Sequence, residues 1–523
     1  MSTATNEPAI GQLGQLNGPW PPYTLLGRRW PGPGRPASSA TVVAILAASV
    51  VAALSVPLDR AGLGWFVTAL AGTAALVVAR VIRVPEAIPA AVRRDTGHGS
   101  WDRFFWGTAT VVLLATGTFR AAGWLFTLCL LTATLTGALA ITHGRSLRSV
   151  AMTYLLAPAA ATRGGLWILR GVTRMRGQGS AGLPIRVLAT TAVSIALLAV
   201  FGGLFISADA AFARVFEAAI PEISPITIFR WAFVGGVTAV LLTAAAFLRA
   251  APPATGDLDR TEGRKVNRLE WAVPLSLLVL LFAAFVVIQL TVLFGGNQHV
   301  VETDGLTYAE YARSGFWQLC VVTALTLVVL AGAARWAPRT ERADRILLRV
   351  VLGALAALTL VIVASALHRM NVYTDTYGLT RLRLLVACCE AWFGLVLVMV
   401  LVAGIRIRAP WLPRVAIAAG VLALLGLSVA NPDGLIAENH VQRYEETQRI
   451  DLPYLSDLSP DAVPALAGLK NEAYRSCLLM VIGERTPEDS WRGWNLARET
   501  AREVIAEHPE DSPTWCWEQV NRY

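Results

Sequence analysis

The chain has 523 residues, 55% of them apolar and only 15% charged, with a formal net charge of +9. Soluble proteins average about 25% charged residues, so a single water-soluble globule is excluded. The positive charge is unevenly placed: residues 431–523 carry 9 basic and 17 acidic side chains, against 36 and 19 in the remainder, which speaks against one basic face for nucleic acid.

Residues 1–38 are polar and rich in Pro and Gly, with Pro19, Pro21, Pro22, Pro31, Pro33 and Pro36. They read as a disordered cytoplasmic tail with no cleavable leader. Eleven apolar runs follow, near 39–57, 62–80, 104–119, 121–142, 186–206, 227–248, 271–293, 316–334, 347–368, 384–404 and 412–429. A membrane helix needs about 20 mostly apolar residues, so residues 39–430 read as an all-α, polytopic transmembrane bundle. Trp65, Trp106, Trp124, Trp231, Trp271, Trp317 and Trp411 fall near run starts and Trp336 just past a run end. Indoles favour the headgroup level, where an apolar body and one N–H are both satisfied.

Basic residues alternate from loop to loop. Segments 1–38, 80–103, 143–186, 249–268, 335–349 and 405–414 hold 28 of them. The intervening short segments hold 8, namely Arg60, Arg120, Arg214, Arg230, Arg313, Arg369, Arg381 and Arg383. Basic loops stay in the cytoplasm, so the N-terminus is expected there and the C-terminus outside. The basic loops also meet anionic lipid.

Within 143–186, the run 150–161 is too short to span and is interrupted by Pro158. Leu166, Trp167, Ile168, Leu169 and Val172 alternate with Arg163, Arg170, Arg174 and Arg176. That pattern predicts an amphipathic helix in the headgroup plane with snorkelling arginines, or else a solvated basic loop. The segment 369–383 reads as a polar outer loop, with a tight turn at Gly378.

Residues 431–523 read as a small extracytoplasmic helical domain. Asn431-Pro432-Asp433-Gly434 signals a turn, and Ile436 to Arg449 a polar helix. Ser459 is the expected cap of a helix that Pro460 opens, and Ser490 to Trp494 are expected to open another running to Ile505. So short a unit buries little core alone and is expected to dock on outer loops. An oxidising compartment permits a Cys477–Cys516 bridge. Cys129, Cys320, Cys388 and Cys389 fall inside spans, where a thiol packs as a small apolar group.

Catalytic signatures are missing: no HExxH, no GxxxxGK[ST] and no GxSxG occurs in the chain. No metal or cofactor site is expected. Glu390 sits within a span, about 10 Å below the outer end of its helix. Such a charge needs a partner or a wet cavity. Arg383, seven residues earlier on nearly the same face, offers the pair; a proton- or ion-handling site is the alternative. Arg369, Arg381 and Arg383 lie on the arginine-poor side, with Asp375 among them. They suit either an anionic headgroup or ion pairs with Asp375 and the acidic tail. Glu310 and Arg313 are three residues apart at a polar, aromatic helix start, and Asp209 lies at the outer end of the fifth run.

Four segments carry a resemblance: Ser207–Phe212, Tyr308–Leu319, Tyr377–Arg383 and Asp451–Leu466. Together they resemble a family of bacterial polytopic membrane proteins catalogued as a domain of unknown function, numbered 4153 or 4173. The resemblance runs from the second span onward and implies an inner-membrane location, with no catalytic residues to carry over. The 43 arginines against Lys265 and Lys470 point to a GC-rich, actinobacterial source. Three functions are compatible with these residues. They are an envelope interaction or regulatory protein, a transporter or channel for a small solute or ion, and a membrane-embedded transferase acting on lipid-linked material through Asp209, Glu310 and the arginines.

Overall fold

The computed structural model describes residues 30, 32–81, 96–141, 147–177, 224–251, 267–294, 316–338, 341–406, 411–509 and 513–520, with six isolated positions between 190 and 205. Among these, every regular element is a helix, and seven helices are long and apolar enough to cross a membrane. The apolar runs at 39–57 and 62–80 form the shorter helices α1 (Ser39–Ser55) and α2 (Leu63–Val81). The run 104–119 belongs to α3 (Thr96–Phe119), and most of 186–206 lies outside the described residues. The chain divides into two compact units.

Unit 1 comprises Met1–Thr118, Leu130–Asp259 and Asp489–Trp494. It contains α1 to α3, most of α4 (Gly123–Ile141), α5 (Leu147–Gly177) and α6 (Pro225–Ala250). Ser38 caps α1 by accepting from the Thr41 amide at 3.2 Å; a Ser in this place satisfies an otherwise orphaned N–H. Helices α5 and α6 approach closely at Gly164, where a Cβ would stand 2.8 Å from the Thr243 methyl. Small residues at crossings are how apolar helices gain contact without a hydrophobic drive.

Two expectations meet the structure in this unit. The amphipathic pattern falls within helix α5, where Arg163 is turned inward and Arg170 is exposed. Helix α5 is continuous over 31 residues with Pro158 inside. Its Trp167 face packs on α6 and on Trp30, Ala37 and Ile45. Arg163 is fully buried, its guanidinium 4.7 Å from the Trp30 ring and 5.6 Å from that of Phe247. The arginine's flat, weakly hydrated face suits aromatic rings, so burial against them competes with exposure. The second concerns Trp30 and residues 32–38 of the N-terminal segment, which are described and packed rather than disordered. Trp30 is buried, its indole N–H donates to Ala251 O at 2.7 Å, and Trp167 donates to Arg35 O at 2.8 Å.

Unit 2 comprises Phe119–Cys129, Arg260–Glu488 and Asn495–Tyr523. Its spans are α7 (Arg268–Phe294), α8 (Phe316–Trp336), α9 (Arg342–Tyr377), α10 (Arg381–Arg406) and α11 (Leu412–Ala430). Helices α7 to α10 share a core around Phe282, Leu319, Leu355, Ile362 and Leu397. Helix α9 is 36 residues, about 54 Å at the usual rise, and so outruns a hydrocarbon core of about 30 Å. It absorbs most of the expected outer loop: Met370 to Tyr377 are helical. Thr374 and Thr376 spend their hydroxyls on Met370 O and Val372 O one turn back. Only Gly378–Thr380 remain as the turn, with Gly378 at φ +80°.

The tail begins with α12 (Pro432–Thr447), followed by α13 (Leu452–Ser456), a 3-10 turn (Pro460–Ala462), α14 (Val463–Leu466), α15 (Glu472–Glu484), α16 (Leu496–Glu507) and α17 (Cys516–Val520). Asn431, Asp451, Asn471 and Asn495 cap α12, α13, α15 and α16 through their side chains. Ile436, Leu455, Val463, Leu466, Leu469, Leu478 and Ile482 close into one core. Cys477 and Cys516 form a disulfide, Cα to Cα 5.5 Å, tying α17 to α15. Two boundaries differ from expectation. The helix expected to open at Ser490 begins instead at the Asn495 cap, because 489–494 form a separate turn. Ser459 precedes the 3-10 turn without a side-chain cap, its hydroxyl being held by Asp461 at 2.9 Å.

Candidate functional site

The polar chemistry of unit 2 collects where the spans meet the tail. Pro432 fixes the first turn of α12, and Asp433 follows it with its carboxylate fully buried. Arg381, the first residue of α10, grips that carboxylate with both arms, Nε to Oδ1 at 3.0 Å and Nη2 to Oδ2 at 2.7 Å. A planar fork on a carboxylate is the geometry that distinguishes arginine from lysine. Asp433 also accepts from the Trp124 indole at 3.1 Å and the Ser459 amide at 2.9 Å. Arg381 further reaches Asp457, at 3.3 Å to Oδ2 and 3.0 Å to the backbone oxygen. The Tyr454 hydroxyl accepts from the Arg381 amide at 2.9 Å.

A second buried carboxylate lies nearby in the tail. Asp461 Oδ2 accepts from the amides of Ala121 and Ala122, at 2.8 and 2.9 Å, immediately before α4. It thereby serves the orphan donors of a helix start. Arg120 stands 3.6 Å from Asp461 Oδ1 and donates to Ser428 O and Val429 O at 2.6 and 2.9 Å, closing the C-terminal end of α11. Burial pushes the Asp433 carboxyl up, but the Arg381 guanidinium and the Ser459 donors outweigh it and hold it below the ordinary carboxylate range. At Asp461 burial wins over Ser459, Ala121 and Arg120, and that carboxyl is pushed up.

The α9–α10 turn is stitched to α12 by backbone groups. Leu379 N–H donates to Asn439 at 2.9 Å, Leu379 O meets His440 Nε2 at 2.9 Å, and Arg443 donates to Thr376 O at 2.7 Å. A Cβ on Gly378 would come within 2.8 Å of the His440 ring, so only glycine fits. Arg383 donates to Gly378 O and lies 4.2 Å from the Tyr373 ring.

The expected residues therefore separate. Arg381 joins the tail, as the ion-pair alternative expected, but through Asp433 and Asp457. Asp375 is exposed on the last turns of α9. Arg369 donates to Gln289 of α7 at 2.7 Å, and Ser365 reaches the same oxygen at 3.3 Å. Glu390 is not paired with Arg383, whose guanidinium is taken up by Gly378 and Tyr373. The carboxyl is 1% exposed and neither oxygen accepts a hydrogen bond among the described residues. It faces the Cys320 thiol and the Thr323 hydroxyl of α8. Asp209, Glu310 and Arg313 lie outside the described residues. Among the described residues no group of three His, Cys, Asp or Glu side chains is placed to hold a metal.

Sequence reasoning missed Asp433, Asp461, Trp124, Asn439 and His440. The available signal was an acidic residue in the first turn of a helix beginning Asn-Pro-Asp-Gly, a place where carboxylates serve amides and arginines.

Neither a curated protein nor a solved structure matches the chain. One family model does, over residues 107–469, a stretch that takes in α4, the α7–α11 spans, both buried carboxylates and the tail as far as Leu469. Its description is a domain of unknown function, DUF4153. The chain is thus a membrane protein with several apolar helices and belongs to the DUF4153 family.

Proposed function

We propose that this protein displays a rigid, exported helical tail as a platform for a partner in the cell envelope, with its N-terminus in the cytoplasm. The single observation behind this reading is the pair of buried carboxylates, Asp433 and Asp461, that fasten the tail to the ends of its spans. A tail meant only to trail in solvent has no use for buried ion pairs, which cost desolvation and repay it in fixed geometry. The Cys477–Cys516 disulfide favours an oxidising compartment for the same residues.

The connections also support eleven crossings. The 120–122 loop, the 378–381 turn and Asn431 all contact the tail, so they share one side of the bilayer. Between Ala122 and Gly378 the described spans number five: Gly123–Ile141, Ile226–Ala250, Arg268–Gln289, Trp317–Trp336 and Arg342–Tyr377. An odd number would place the two connections on opposite sides. One more crossing between Ile141 and Pro225 restores the parity, and the apolar run 186–206, most of it outside the described residues, is the segment the sequence offers for it. With α1, α2 and α3 before this stretch and α10 and α11 after it the total is eleven, and the arginine-poor side is the tail side.

A phosphatase reporter fused after Tyr523 is expected to be active and a cytosol-dependent fluorescent reporter dark. The reverse pattern overturns the reading. Transport of a small solute or ion is the second reading, favoured by Glu390 and by the Gln289, Ser365 and Arg369 cluster within α7–α10. For the transferase reading Arg381 is not available, since it is occupied by Asp433 and Asp457.

A further inference from the structure

Glu390 is the polar residue of the α7–α10 bundle to which the packing gives no structural task. Its side chain is sealed from solvent, and both carboxyl oxygens lack a hydrogen-bond donor among the described residues. The groups facing it from α8 are the Cys320 thiol and the Thr323 hydroxyl. Thr323 gives its one proton to Leu319 O at 3.0 Å, so it has none to offer a carboxylate. On α10 itself the neighbours are Cys388 and Cys389. One turn further on, Gly394 meets Val363 and Leu360 of α9, an apolar wall. Among the described residues, no charged side chain of α7, α8 or α9 acts on the carboxyl. Arg383 is spent on Gly378 and Tyr373, and Arg369 bonds Gln289.

An ionised carboxylate stripped of water, donors and counter-charge is among the most costly arrangements in a protein interior. A buried acid that serves no pair and no cap is therefore a place for a cation. Among the described residues no group of three His, Cys, Asp or Glu side chains gathers here for a metal ion, and the smallest cation needs none.

We propose that Glu390 is a proton-binding site within the bundle, filled as the neutral acid while α8 and α10 close over it. Release sends the proton from the carboxyl oxygen to entering water and leaves a carboxylate. That charge needs a donor, and Thr323 can serve it only by letting go of Leu319. Proton occupancy and the packing of α8 against α10 are thereby one equilibrium. The inference rests on α7–α10 crossing a bilayer and not on which end of the chain is exported. A failed reporter fusion at Tyr523 leaves it standing.

The test uses the full-length protein in native membranes and dicyclohexylcarbodiimide, a lipid-soluble reagent that adds to carboxyls only in their protonated form. Peptide mass spectrometry is expected to find the adduct on Glu390 at about pH 6 and to see it fall about tenfold per pH unit above the site's midpoint. Added sodium chloride is expected to leave the yield unchanged, and Glu390→Gln to abolish it. An absent adduct from about pH 5 to about pH 9 overturns the proposal, because a neutral acid there reacts. Protection by sodium at constant pH overturns it too, since the resident cation is then a metal ion. Both readings come from the wild-type chain and do not depend on the variant folding.

Discussion

Asp433→Asn probes the attachment of the tail at its centre. The carboxylate takes four donors, at 3.0, 2.7, 3.1 and 2.9 Å, from Arg381, Trp124 and Ser459. Asparagine keeps one acceptor oxygen and turns an NH₂ toward a guanidinium or an indole, so at least one side of the site is left with donor facing donor. Removing one partner of a buried ion pair costs about 3–5 kcal/mol. Arg381 retains Asp457, and its side chain is 26% exposed. Water therefore softens the loss, and about 2–3 kcal/mol is expected. At about 1.4 kcal/mol per factor of ten, the tail should open roughly 30- to 150-fold more often. Limited proteolysis of the membrane-embedded protein reads this directly, because cleavage tracks the open population when reclosing is fast. Arg381→Gln combined with Asp433→Asn should cost much less than the two single changes added together. Asp433→Asn staying within about 0.5 kcal/mol of the wild type, the range of an indifferent surface change, refutes a fastening role for this carboxylate.

Acidification should loosen the same junction through His440. Burial outweighs the Leu379 carbonyl and holds this imidazole below the ordinary histidine value. The unfolded tail therefore takes up a proton first, and stability is lost as pH falls from the ordinary value through the folded one. The slope is at most about 1.4 kcal/mol per pH unit for one proton. Proteolysis across that window should show it, and an unchanged slope in His440→Gln excludes this residue as the cause. Asp433 works in the same sense at lower pH: its stabilisation is full above the ordinary carboxylate value and fades as pH drops through its own lower one. Asp461 works oppositely, its contribution being present in acid and lost as pH rises through its raised value. Reducing the disulfide, or changing Cys477→Ser, should cost up to about 4 kcal/mol for a sequence separation of 39. The loss should appear as early cleavage around α17, and equal resistance with and without reductant refutes it.

The apolar runs made the all-helical membrane architecture legible, because a run long enough to span is a one-dimensional signal. The tail's helices were legible for a related reason: Asn, Asp and Pro mark starts wherever backbone amides lack partners. What stayed hidden depends on pairings distant in sequence. Nothing local in Arg163 tells that Trp30 and Phe247 stack on it, since an arginine between apolar residues fits an interfacial helix equally well. Arg381 and Arg383 look alike in sequence, yet one meets a buried aspartate and the other a backbone carbonyl and a tyrosine. Glu390 was visible as an anomaly at once. Its lack of a partner was not, because Arg383 lies on nearly the same helical face and only the fold shows it turned away.

The turn 489–494 closes the start of α2 within unit 1. Leu63 and Gly64 donate their amides to Trp494 O and Arg492 O at 3.0 and 2.9 Å, and Arg60 meets Asp489 at 3.3 Å across 429 residues of chain. Ribosomes add about 5–20 residues per second. The first hairpin is thus made roughly 20–90 s before the segment that completes it exists. During that interval its leading amides must be served by water or lipid headgroups. Maturation of the earliest-inserted helices is for this reason a post-translational event, and a chain truncated before Asp489 keeps them permanently in their nascent form.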